Sequence, residues 1–184
     1  PLTRTYMKEI ARGSAPTSYW MLEHFPKMLS GKILTLSAFA GGMNPVSRIR
    51  QGFISNELSR LSYKYLKRFH AVSPDIFDVV DNEENTIRFL MQALASDVSL
   101  ILSPTPLSAL YLYEDIKKYR SVLLDKFRKM GTHPHVCAAL ESPDLNFDML
   151  WPNLVFVLTW VGSICAISSP YLRALTKKPL IDAP

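Results

Sequence analysis

Four cations crowd the stretch SRLSYKYLKRFH, Ser59 to His70: Arg60, Lys64, Lys67 and Arg68. Ammonium and guanidinium groups at that density contact phosphate oxygens of lipid or nucleic acid, and they need no sequence readout to do so. Helical geometry sorts them. With Arg60 at zero and a step of about 100° per residue, Lys64, Lys67 and Arg68 fall within about 80° of it. Ile54, Leu58, Leu61, Tyr65 and Phe69 fill the adjoining sector, from about 100° to 180°. None of the four cations has an acidic residue four positions further on, the pairing common on a solvated helix face. Arg48 and Arg50 extend the charge. From Pro45 to His70 the cations face one anion, Glu57, and their surplus equals the chain's whole net charge of +5. The next segment reverses sign, with Asp75, Asp78, Asp81, Glu83 and Glu84. Charge so concentrated implies a polyanionic partner. The candidate binding residues are Arg48, Arg50, Arg60, Lys64, Lys67 and Arg68.

Other chemistry is thin. His133, His135 and Cys137 alternate, which on a strand would put three metal ligands on one side. The segment lacks a strand pattern and a fourth ligand, so no metal is expected. The sequence contains no GxGxxG, P-loop, GxSxG or HExxH motif. Glu83 and Glu84 suit the positive end of a helix. No catalytic dyad stands out, so neither an enzyme nor a cofactor is expected.

The elements that must position these residues read as helices. The chain has 184 residues and 48% hydrophobic content, enough for one large domain or two small ones. Residues 3–12 form a short helix candidate, and Thr17 can cap a second that Pro26 ends or kinks. GKILTLSAFA is a compact apolar run stopped by Gly41 and Gly42. Asn44 and Pro45 open a helix that reaches Phe69. SPDIFD repeats that device. ENTIRFLMQALASDVSLIL reads as one long helix ended by Ser103 and Pro104. Pro106 opens another, which stops at Gly131. WPNLVFVLTWVGSICAI and a short helix after Ser169-Pro170 follow a looser region. The fold class expected is all-α, a two-lobed helical bundle with lobes 1–102 and 103–184 divided at the Pro/Ser cluster.

Met149 to Leu172 carries no charge, which raises the question of a membrane span. Pro152, Asn153, Thr159, Gly162 and Pro170 interrupt it, so a buried or interface helix is expected. No basic-then-apolar signal segment stands at the front, and Pro1 fits either removal of an initiator Met or a trimmed end. Two cysteines, Cys137 and Cys165, make no disulfide framework, and a reducing compartment follows.

Leu29 to Leu58, LSGKILTLSAFAGGMNPVSRIRQGFISNEL, resembles the end of the first subdomain of orthomyxovirus (influenza-type) matrix proteins. Leu29, Ile33, Leu34, Arg50, Phe53, Asn56 and Leu58 stand where that family has the same residues. YKYLKR, Tyr63 to Arg68, looks like its Tyr-Arg-Lys-Leu-Lys-Arg signature, and ALASDVSLIL from Ala93 is similar to its Ala-Leu-Ala-Ser helix. The matches cover roughly residues 20 to 102, in the family's order. The loop before the basic helix is shorter here, and the family's Cys/His cluster has no counterpart, which points to a distant genus. The resemblance implies a structural protein of the virion that lines the inner face of the envelope and polymerises. Its partners would be an anionic phospholipid membrane, the viral ribonucleoprotein or RNA, and further copies of itself. It would lie beneath the envelope, peripheral on the cytoplasmic face of the host plasma membrane, and in the nucleus. An alternative comes from SGKILTLSAFAGGM and LWPNLVFVLTWVGSIC. Both resemble the central apolar helix of the Bcl-2 family, which implies a regulatory module that binds a partner helix.

Overall fold

The computed structural model of the chain describes residues 4–36, 42–43, 50–51, 63–78 and 83–182. Its strands are β1 (Lys32–Thr35), β2 (Gly42–Met43), β3 (Arg50–Gln51), β4 (Val98–Ser103), β5 (Phe156–Thr159) and β6 (Leu180–Asp182). Its helices are α1 (Arg4–His24), α2 (Glu83–Leu94), α3 (Pro106–Lys118), α4 (Arg120–Met130), α5 (Pro134–Glu141), α6 (Phe147–Leu150) and α7 (Ser169–Ala174). β1, β4, β5 and β6 form one parallel sheet in that order. β2 and β3 pair antiparallel. The expectation of an all-α bundle is therefore corrected: the chain is α/β.

The physical reason lies in how parallel strands read. Buried on both faces, they lose the apolar-polar alternation that marks a half-exposed strand. VSLILS is the clearest case. Five of its six residues are buried, and it follows the apolar helix α2 after a turn of Ala95, Ser96 and Asp97 that holds neither Gly nor Pro. Two elements thus look like one long helix. The same blending hides β5 inside the charge-free run. That run is the end of α6, a strand, a 3-10 turn (Ser163–Ile167) and the start of α7. Among the described residues no helix is long and apolar enough to cross a membrane.

The two faces of the sheet carry different layers. Leu34, Ile101, Val157 and Leu180 point to the side covered by α2 through α7, where they meet Leu90, Leu94, Ala109, Ile116, Phe127, Leu140, Phe147 and Leu172. Each fully buried aliphatic chain there contributes roughly 1.5–3 kcal/mol against exposure. Ile33, Leu100, Leu102, Phe156, Leu158 and Ile181 point the other way, toward Met21 and Phe25 at the end of α1 and Met28 in the turn beyond it. Strands from both sides of the 102/103 boundary share the sheet, and β4 runs across that boundary.

Several boundaries follow from single residues. Thr105 caps α3, its hydroxyl accepting from the Ser108 amide, with Pro106 at the first helical position. The helix expected from Pro106 to Met130 is two, α3 and α4, joined at Tyr119. Gly131 closes α4 at φ 64°, a left-handed conformation that costs a glycine little. The buried Trp151 indole donates to the Ala93 carbonyl at 3.0 Å, tying the chain before β5 to the end of α2. The helix expected from Asn44 to Phe69 is corrected at Arg50–Gln51, which is strand. Its start at Asn44-Pro45 lies outside the described residues.

Candidate functional site

In a parallel sheet covered by helices, ligands bind in the crevice outside the carboxyl ends of the strands, where loops and helix N-termini converge. Here that edge ends in small polar residues. Ser103, Thr159 and Asp182 are register partners at the ends of β4, β5 and β6. Register partners on parallel strands share a face, and two residues further in, that face holds Ile101, Val157 and Leu180 of the helix-side core.

Each member has a different state. The Ser103 hydroxyl donates to the Thr105 carbonyl at 2.6 Å, which fixes the turn into α3. Asp182 is exposed, and its Oδ1 accepts from the Val161 amide at 3.0 Å. Thr159 is fully buried, and its Oγ1 has no hydrogen-bond partner among the described residues. Leaving a buried hydroxyl unpaired costs about 1–3 kcal/mol. Beside this row stands the positive end of α3, with Thr105 and Ser108 hydroxyls 3.1 Å apart. Exposed Trp160, Ile164, Ile167 and Tyr171 follow β5 in the chain. The edge thus combines hydroxyl groups and a helix terminus, which suit an oxyanion, with one carboxylate, Asp182, which is engaged by the Val161 amide. Apolar side chains stand close by in sequence.

A cavity of about 340 Å³ lies at the opposite, amino end of the sheet. Asp97, His133, His135, Trp151 and Asn153 line it, with Asn153 Nδ2 donating to both Asp97 oxygens at 2.9 and 3.1 Å. The alternation of His133, His135 and Cys137 has no strand to act on, because His135 and Cys137 lie in α5. Successive odd positions on a helix are about 200° apart and diverge. Among the described residues no three His, Cys, Asp or Glu side chains are grouped to hold a metal ion.

The basic candidates are scattered in outcome. Arg48 and Arg60 lie outside the described residues. Arg50 belongs to β3. Lys64, Lys67 and Arg68 are exposed. Lys64 sits 5.6 Å from the Tyr65 ring, Lys67 5.9 Å from that of Tyr63, and Arg68 4.6 Å from that of Phe69. The helical face expected to carry them ends at Leu66, and a 3-10 turn, Lys67–Phe69, follows. Arg68 lines an open groove with Lys32 and Phe69 beside Asp97.

Sequence reasoning passed over Ser103, Thr105, Thr159 and Asp182. A signal was there. The short apolar runs VSLIL, FVL and LI each end in one small polar or acidic residue. If the runs are taken as parallel strands, those residues fall together at the carboxyl edge.

No family model matches the chain, and no curated protein matches it. Solved structures do. One is the GH3.15 acyl acid amido synthetase, with a TM-score of 0.73 and 14% identity, over 98% of this chain and 37% of that one. Another is the AtGH3.15 acyl acid amido synthetase in complex with 2,4-DB, with a TM-score of 0.70 and 15% identity over the same shares. The chain spans 37% of the length of these structures. The likeness shows the fold, and it overturns three expectations. The resemblance to orthomyxovirus matrix proteins, with its structural role in the virion, is corrected. Its anchor, Leu29 to Leu58, holds strand β1 here, and the two matched residues in that strand, Ile33 and Leu34, are types that any apolar strand carries. The Bcl-2 alternative falls too, since one of its two apolar runs holds β1 and the other β5. The expectation of a non-enzyme is corrected as far as the fold goes, since the fold is one that the two amido synthetases carry.

Proposed function

We propose that this chain is the acid-binding portion of an amide-forming enzyme, with an organic acid's carboxylate seated at the carboxyl edge of the sheet. The observation that carries the reading is the structural likeness to acyl acid amido synthetases along 98% of the chain. The chemistry of the edge supports it. A carboxylate suits the amino end of α3 and the hydroxyls of Thr105 and Ser108. The apolar body of an acid suits Trp160, Ile164 and Tyr171.

Joining an acid to an amine forms a C–N bond and expels one carboxylate oxygen. A carboxylate resists attack and its oxygen leaves poorly, so the acid must first be activated by a co-reactant such as a nucleoside triphosphate. Binding of the acid comes before that step and can be measured alone. Calorimetry with 2,4-DB and its methyl ester tests it. The acid is expected to bind and the uncharged ester to bind far more weakly. Equal binding, or none of the acid, would sink the proposal. Mass spectrometry after incubation with acid, amine and nucleoside triphosphate then asks whether amide forms.

A further inference from the structure

Thr159 stands out at this edge. Its side chain is fully buried and its hydroxyl lacks a hydrogen-bond partner among the described residues. It is in register with Ser103, whose hydroxyl is taken up by the turn into α3, and with Asp182, whose carboxylate is engaged by Val161. A valine would fill the same volume at no such cost. We propose that Thr159 is a ligand-contact residue, and that its hydroxyl donates to the carboxylate of the bound acid.

The hydroxyl is out of reach of solvent, so contact requires part of its cover to move aside. The turn that follows it in the chain, residues 160–163, is the segment to which we assign that movement. That turn is suited to moving. One backbone amide, Val161, is latched to an exposed carboxylate, Asp182. A side chain on Gly162 would meet nothing within 4 Å. Ser163 holds φ 54°, a left-handed conformation unfavourable for a residue with a Cβ. The acid's hydrogen bond with Thr159 would offset the opening.

This inference rests on the proposed acid-binding role. The test uses the whole chain, with 2,4-DB as probe. Thr159→Val removes the hydroxyl and keeps the shape, while Thr159→Ser keeps the hydroxyl. Expected for Thr159→Val is a melting temperature equal to or above the parent's, with about tenfold weaker binding of 2,4-DB. Thr159→Ser should bind within about twofold of the parent. The inference is overturned if the valine variant binds as tightly as the parent, or if it melts lower, which would reveal a structural partner for the hydroxyl. Loss of binding in the serine variant as well would also overturn it. A parent chain that fails to bind 2,4-DB would overturn the acid-binding role and this inference together, whereas binding unchanged by Thr159→Val overturns this inference alone.

Discussion

A Cβ added to Gly31 would stand 2.5 Å from the Asp97 carbonyl oxygen, closer than real Cβ atoms come. The same carbonyl accepts from the Lys32 amide at 2.7 Å, the first rung between β1 and β4. Glycine is therefore required where the two strands begin. Gly31→Ala is expected to destabilise the fold by roughly 1–3 kcal/mol, through displacement of β1. Urea unfolding monitored by circular dichroism checks this, and a midpoint like the parent's would refute it.

Trp151 is an equally specific fixture. Its ring fills the core beside Phe147, with centroids 5.5 Å apart, while its N–H satisfies the buried Ala93 carbonyl. Trp151→Phe leaves that carbonyl without the indole and opens space around a smaller ring. A loss of roughly 2 kcal/mol is expected. Thermal and chemical unfolding should both register it, and an unchanged stability would show that the neighbours close the gap.

Arg120, at the start of α4, reaches two carbonyls at the end of α5. Its Nε donates to the Leu140 carbonyl, and its Nη2 donates to that of Ser142 at 2.8 Å. These lie at the end of α5, where backbone carbonyls lack helical partners. Lysine places a single ammonium there and cannot span both oxygens in one plane. Arg120→Lys is expected to cost about 1–2 kcal/mol despite the kept charge. Retention of full stability would mean that charge alone does the holding.

His70 gives the chain a pH dependence. Partial burial lowers its imidazole below the usual 6.5. As pH falls through 6.5 the unfolded chain takes up this proton before the folded one does. Its contribution is whole above 6.5 and is lost progressively down to the lower folded value. Stability measured between about pH 7 and pH 5.5 should fall in the parent and fall less in His70→Gln. Identical slopes would assign the dependence to other groups.

What the sequence disclosed depended on local chemistry. Pro106 and Gly131 announced helix ends because helix starts and left-handed turns demand particular residues at particular places. The short helix after Ser169-Pro170 was legible for the same reason. The sheet was hidden because pairing between residues as distant as Leu34 and Ile101 leaves no periodic trace in either strand. Burial on both faces had also erased the alternation of VSLIL. The polar row followed the sheet into obscurity. Ser103, Thr159 and Asp182 are ordinary residues until three strand ends meet. The charge cluster was visible at once, yet abundance of charge said nothing of fold, and it drew the reading toward a helical face that ends at Leu66.

The order of strands across the sheet, β1, β4, β5, β6, is also their order in the chain. Each new strand adds at one growing margin and never slots between two already paired. On a ribosome, such a sheet can be laid down as the chain emerges. β1 waits for β4, but every later strand meets a template already in place. Refolding from denaturant has no such schedule. The full chain competes with itself, and parallel pairs must close long loops before they gain any stabilisation. Synthesis should thus deliver soluble protein under conditions in which refolding after dilution from denaturant gives aggregates.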